Sequence, residues 1–145
     1  MNDPARAVWA KTRLLVWPER YVLASLRLES VTGAAALAAN ASGTFAALVV
    51  ERDEVSLTVS KDLWDEAGLE ATAVAGPFRA ITFDVNIDLD VCGYLAPAAE
   101  RLATAGIAIV PQCAFLKDHL LVHERDLAAA VAALEALIAE SRASA

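Results

Sequence analysis

The sequence is poor in several features that would tie it to common tasks. It has two cysteines, Cys92 and Cys113, too few for a disulfide framework and without C-x-x-C spacing. In a reducing compartment each is expected to be a small buried hydrophobe. Basic residues are few and scattered, 12 Lys and Arg against 19 Asp and Glu. A net charge of −7 leaves no cationic face for phosphate binding, which depends on displacing counterions. The charge thereby argues against nucleic acid and disfavours anionic membrane surfaces, so neither is expected as a partner, and neutral or cationic small ligands are compatible. Long apolar runs are also missing. The composition is 57% hydrophobic, much of it alanine, and Asn40, Gly43, Pro111, Gln112 and Lys117 interrupt the richest stretches. A membrane-spanning helix needs about 20 apolar residues in succession. The opening Met1-Asn2-Asp3-Pro4 has no basic start followed by an apolar block, so no secretory leader is read and a cytoplasmic protein is expected. No G-x-G-x-x-G, P-loop, G-x-S-x-G or H-E-x-x-H pattern occurs, and a non-enzymatic role is expected.

What is present is alternation punctuated by turns, enough in 145 residues for one compact domain or two small fused ones. Residues 1–12 read as a mobile lead-in. Leu14-Leu15-Val16 is a short strand stopped by Pro18, residues 21–29 are strand-like, and the alanine-rich residues 31–40 suggest a helix. A hairpin follows, with strands at residues 45–50 and 55–59 around a polar tip, and then a short helix from Asp62 to Gly68. Gly76-Pro77 is the clearest punctuation and is taken as the boundary between halves. From Ile81, apolar Phe83, Val85, Ile87, Leu89 and Val91 alternate with Asp84, Asn86, Asp88 and Asp90, predicting a half-buried strand over 81–91. A helix from Gly93 is closed by Gly106, with Pro97 confined to its first turn. A second hairpin spans residues 107–122, and Leu127, Val131, Leu134 and Ile138 mark an amphipathic final helix. The tail over residues 141–145 is expected to fray. Both halves run strand, helix, hairpin, helix, and VSLTVSKDL in the first echoes LLVHERDL in the second, which suggests a duplicated βαββα unit. The fourth strand of each sheet is left open: the neighbouring half or the Leu14 strand could supply it.

At Asp90-Val91-Cys92-Gly93-Tyr94-Leu95-Ala96 the chain resembles small bacterial proteins with tandem ACT domains, which carry a D-L-V-G-F-L-A-like turn there. Leu102-Ala103-Thr104-Ala105-Gly106-Ile107 matches their L-A-E-A-G-I helix end. Asp118-His119-Leu120-Leu121-Val122 matches their T-D-H/Y-L-L-V strand. The likeness is good over residues 76–137 and looser over 14–59, and it extends to the units of the cytosolic arginine sensors of animal cells. It implies an α+β, ferredoxin-like fold of two ACT-like βαββα halves, with antiparallel sheets and helices on one face. The halves are placed at residues 13–75 (degenerate) and 76–140. It further implies a regulatory module that binds an amino acid at the turn between first strand and first helix and associates as a homodimer. Carried over to this chain, the ligand residues are Asp90, Val91, Cys92, Gly93 and Tyr94 on that turn. Cys113, Ala114, Phe115 and Asp118 stand at the hairpin. The chain departs from the pattern at Cys113-Ala114-Phe115, where relatives carry a hydroxyl residue before the aromatic. A structural or partner-binding dimerisation domain without a ligand is the alternative.

The residues themselves admit bland and functional readings. Gly93 either relieves a tight turn or lets a ligand carboxylate approach backbone N–H groups near a helix start. Asp90 and Asp118 would then face an α-ammonium, with Asp88 nearby and Lys117 the only evident partner for an acidic ligand, so neutral or cationic amino acids should outrank glutamate and aspartate. The Asp84, Asn86, Asp88, Asp90 row looks like the start of a calcium loop, but Leu89 and Leu95 stand where the loop needs glycine and an acid, so no metal is expected. His119 and His123 lie four apart on a strand and read as structural, as does the thiol of Cys113 beside His119, which nothing orients as a nucleophile. Trp9, Trp17 and Trp64 are read as packing or interface residues.

Overall fold

A computed structural model describes residues 1–144. In chain order the elements are α1 (Asp3–Lys11), β1 (Leu14–Val16), β2 (Tyr21–Leu26), α2 (Val31–Ala39), β3 (Ala47–Val50), β4 (Val55–Ser60), α3 (Lys61–Ala67), β5 (Ala73–Phe83), α4 (Ala96–Thr104), β6 (Ile109–Cys113), β7 (Asp118–His123) and α5 (Leu127–Ala143). The chain forms two compact units, residues 17–80, and residues 1–16 together with the chain from residue 81 onward.

In the unit of residues 17–80 the strands lie in the order β3, β4, β2, β5. β2 and β4 pair antiparallel from Tyr21 opposite Ser60 to Leu26 opposite Val55, and β3 continues the hairpin with Ala47 opposite Thr58. Alternation sends Val22, Ala24 and Leu26 to the same core as Val55, Leu57 and Val59, where Ala34 and Leu37 of α2 cover them. Leu63 and Trp64 of α3 pack against the same cluster, so both helices serve one face. Gly68 stops α3 in the left-handed conformation (φ 64°) that glycine adopts without penalty.

In the other unit the order is β1, β5, β7, β6. β1 runs antiparallel to the end of β5, Leu14 opposite Phe83 and Val16 opposite Ile81, so the N-terminal strand completes this sheet. β6 and β7 pair from Ile109 opposite Val122 to Cys113 opposite Asp118. Pro111 sits in β6, which has a single neighbour, and its missing N–H costs no ladder bond there. The core joins Ile81, Phe83, Leu120 and Val122 from the strands to Leu102 of α4, Leu134 and Ile138 of α5, and Trp9 of α1. Both units are thus α+β with antiparallel pairing and helices packed on the strands, the ferredoxin-like arrangement.

Several expectations need correction. Residues 1–12 are not a mobile lead-in: they carry α1, capped by Asn2, whose side-chain oxygen accepts from the Ala5 N–H at 2.9 Å. Trp9 on that helix is 0% exposed. The strand expected over residues 81–91 instead runs from Ala73 to Phe83. Its partner β1 is three residues long and reaches only Phe83, and Asp88 then turns the chain by accepting the Asp90 N–H on its own carboxylate. Gly76 and Pro77 lie inside β5, at a register shift against β2. A β-carbon at Gly76 would stand 2.9 Å from the Tyr21 carbonyl oxygen. The helix expected from Gly93 starts at Ala96, with Pro97 in its first turn and Gly106 just past its end. α5 continues through Ala143. Buried Ser141 donates to the Leu137 carbonyl and Arg142 donates to those of Ala10 and Thr12, so residues 141–143 do not fray; Ala145 lies outside the described residues. Both cysteines are exposed, because Cys92 sits on a turn and Cys113 ends an edge strand.

Candidate functional site

Strand pairing ends at Phe83, and the chain crosses to α4 through residues 84–95. That crossing is pinned at several points. Asp84 donates its N–H to the Arg13 carbonyl (2.7 Å), Ile87 to that of Leu116 (2.9 Å), and Val91 to that of Asp88 (3.0 Å). Opposite it rises the β6–β7 hairpin, closed by the Ala114 N–H on the Lys117 carbonyl at 3.0 Å. Between crossing and hairpin lies a cleft of about 400 Å³, inside the ~300–1,000 Å³ range usual for small-molecule sites.

Of the residues singled out from sequence, Val91, Gly93, Tyr94, Cys113, Ala114, Phe115 and Asp118 line this cleft. Asp90 does not; it borders an adjoining hollow with Asn86, Leu89 and Phe115. Cys92 points its side chain to solvent and takes part through its carbonyl, which accepts from Asn2 Nδ2 at 3.0 Å. Gly93 holds φ at 81°, a conformation that a β-carbon resists. The remaining walls are Ile87, Asp88, Leu89, Leu95, Ala96, Leu116 and Lys117.

The charges have a definite arrangement. Lys117 Nζ stands 2.5 Å from Asp84 Oδ1, and Arg13 Nη2 is 3.1 Å from Asp84 Oδ2. The Lys117 hydrogen bond and charge, with a smaller part from Arg13, hold the Asp84 carboxyl below its ordinary value. Although Cys113 is exposed at the strand end, partial desolvation of its thiol pushes its pKa up, and the hydrogen bond and charge of Asp118 push the same way, so the thiolate needed of a nucleophile is disfavoured. His119 places Nδ1 2.7 Å from Thr82 Oγ1, and burial lowers its pKa against the opposing pull of Asp118. Among the described residues no group of three or more His, Cys, Asp or Glu is placed to hold a metal ion, and no helix is long and apolar enough to cross a membrane.

Sequence reasoning missed the support beneath the cleft. Trp9 stacks on Tyr94 (centroids 4.7 Å apart), and its indole N–H donates to the Tyr94 carbonyl at 2.7 Å. Thr12 Oγ1 lies 2.8 Å from the Tyr94 hydroxyl. That phenol is pushed upward by burial and stays neutral. The signal was present: Asn2-Asp3-Pro4 is an N-cap, an acidic first turn and an early proline, and Ala5 and Trp9 stand four apart.

The fold is that of a class, the ferredoxin-like α+β domains, with a cleft between strand and helix. In keeping with this, residues 74–136 match the ACT domain family, a span that contains the whole cleft. Solved structures of similar fold cover nearly the full chain. A protein of unknown function from Vibrio cholerae has a TM-score of 0.68 at 21% identity, over 92% of this chain and 94% of its own. A protein from Agrobacterium tumefaciens has a TM-score of 0.66 at 24% identity, over 88% and 89%. The regulatory subunit of aspartate kinase from Thermus thermophilus has a TM-score of 0.65 at 15% identity, over 87% and 97%. No curated protein matches the sequence.

Proposed function

We propose that this protein is a non-catalytic regulatory module that binds a small ligand, an amino acid, in the cleft between the 84–95 crossing and the β6–β7 hairpin. The observation that carries the reading is the convergence of Val91, Gly93, Tyr94, Cys113, Ala114, Phe115 and Asp118 on one cleft inside the ACT-matching segment. The likeness in fold to a regulatory subunit supports it. The recurrence of strand, helix, hairpin and helix in both units supports a duplicated origin. Homodimerisation is part of the proposal, since Leu89 on the crossing and Phe115 and Leu116 at the hairpin tip are 70%, 76% and 51% exposed, and clustered exposed apolar side chains mark interaction surfaces. The same exposure favours the second reading, a partner-binding domain without a ligand.

A thermal-shift screen of the twenty amino acids tests the reading. A ligand at 100 times its Kd adds about 2.7 kcal/mol of stability, which is readily seen in the melting temperature. Gly93→Val should abolish the shift while the domain still melts cooperatively. No shift with any amino acid would favour the ligand-free alternative.

A further inference from the structure

We infer that the cleft recognises its ligand by an ammonium group and an apolar body, and gains little from a carboxylate. The inference rests on the reading of this cleft as the ligand site. Its walls are mostly hydrocarbon: Ile87, Leu89, Val91, Leu95, Phe115 and Leu116. The charged side chains lining it are Asp88, Asp118 and Lys117. Lys117 is held 2.5 Å from Asp84 Oδ1, and Asp84 is not among the lining residues. Its charge is therefore engaged at the edge of the site, and the field inside is set by two carboxylates.

The backbone offers an anion little in return. α4 begins only at Ala96, three residues beyond Gly93, and Pro97 deletes one of the N–H donors that a helix start normally presents. A ligand carboxylate would thus meet like charge with few donors to hold it. An ammonium finds two carboxylates among the lining residues and Phe115, an aromatic ring of the kind that attracts cations. The chemical class that fits is an amino acid with a large apolar side chain, held through its ammonium and side chain, so that its amide, with a neutral carboxyl, binds more tightly than the free acid.

Calorimetry on the intact protein with L-leucine, L-leucine amide, L-phenylalanine and L-phenylalanine amide tests this. The pH should be about 6.5, below the usual amine value, so that every probe carries its ammonium. Each amide should bind on the order of tenfold tighter than its acid. The preference should shrink severalfold in Asp118→Asn and in Asp88→Asn, two exchanges at separate points of the rim, so that failure of one to fold leaves the other. Acids binding as tightly as amides would overturn the inference and leave the site standing. No binding by any of the four probes, or amide binding unchanged in Gly93→Val, would overturn the reading of the site and the inference with it.

Discussion

His119 shows how a single side chain couples the sheet to solvent conditions. Its ring is half-buried beside Thr82, and burial holds its pKa below the ordinary value near 6.5 despite Asp118. The unfolded chain therefore takes up the proton first, and stability falls as the pH drops below about 6.5, until the folded-state value is passed. His119→Gln should remove this part of the decline, so urea midpoints at pH 7.5 and 5.5 should lie closer together in the variant than in the wild type. An equal spread in both proteins would assign the decline elsewhere. The role of Gly93 at its turn was legible from the letters alone, because few other residues tolerate a φ of 81°. The engagement of Lys117 was not. A lysine beside an aspartate in sequence gives no hint that the partner is Asp84, 33 residues away.

At the scale of elements, α1 is the part whose importance is easiest to underrate. Trp9→Ala should cost about 3–5 kcal/mol, the usual range for deleting a buried aromatic. Trp9→Phe should cost about 1–3 kcal/mol, since it keeps a stacking ring but leaves the buried Tyr94 carbonyl without its indole donor. Denaturant unfolding of the two variants checks both values, and a Trp9→Ala loss below 1 kcal/mol would show that the helix is only loosely attached. The hairpins, α2, α5 and the stop at Gly106 were readable because periodicity and turn chemistry agree there. Two elements were not, for different reasons. α1 is nine residues long and its apolar stripe is short, so its pattern is faint beside its polar letters. The alternation over residues 81–91 is real and continues past Phe83, with Val85, Ile87 and Val91 still packed against the core. Period two reports which side chains face inward; it says nothing about whether a neighbouring strand is long enough to pair.

For the whole molecule the open quantity is the number of copies that work together. Sedimentation equilibrium at high micromolar concentration should give twice the 15.3 kDa of the chain, and Phe115→Asp should drive it back towards one copy by placing charge on an exposed apolar surface. A single-chain mass for the wild type would refute the dimer. The order of the two units along the chain was only partly visible from sequence, because the fourth strand of the ACT-matching unit is β1, some 65 residues before the strand it pairs with. That placement has a bearing on synthesis. Residues 17–80 are contiguous and can settle as soon as they emerge, since proteins are made N-terminal end first. The unit that holds the cleft needs both ends of the chain. Ala5 and Trp9 therefore leave the ribosome long before Leu134 and Ile138 exist to cover them, and for that interval the nascent chain carries the Ala5 and Trp9 face of α1 uncovered, a surface that a chaperone could recognise.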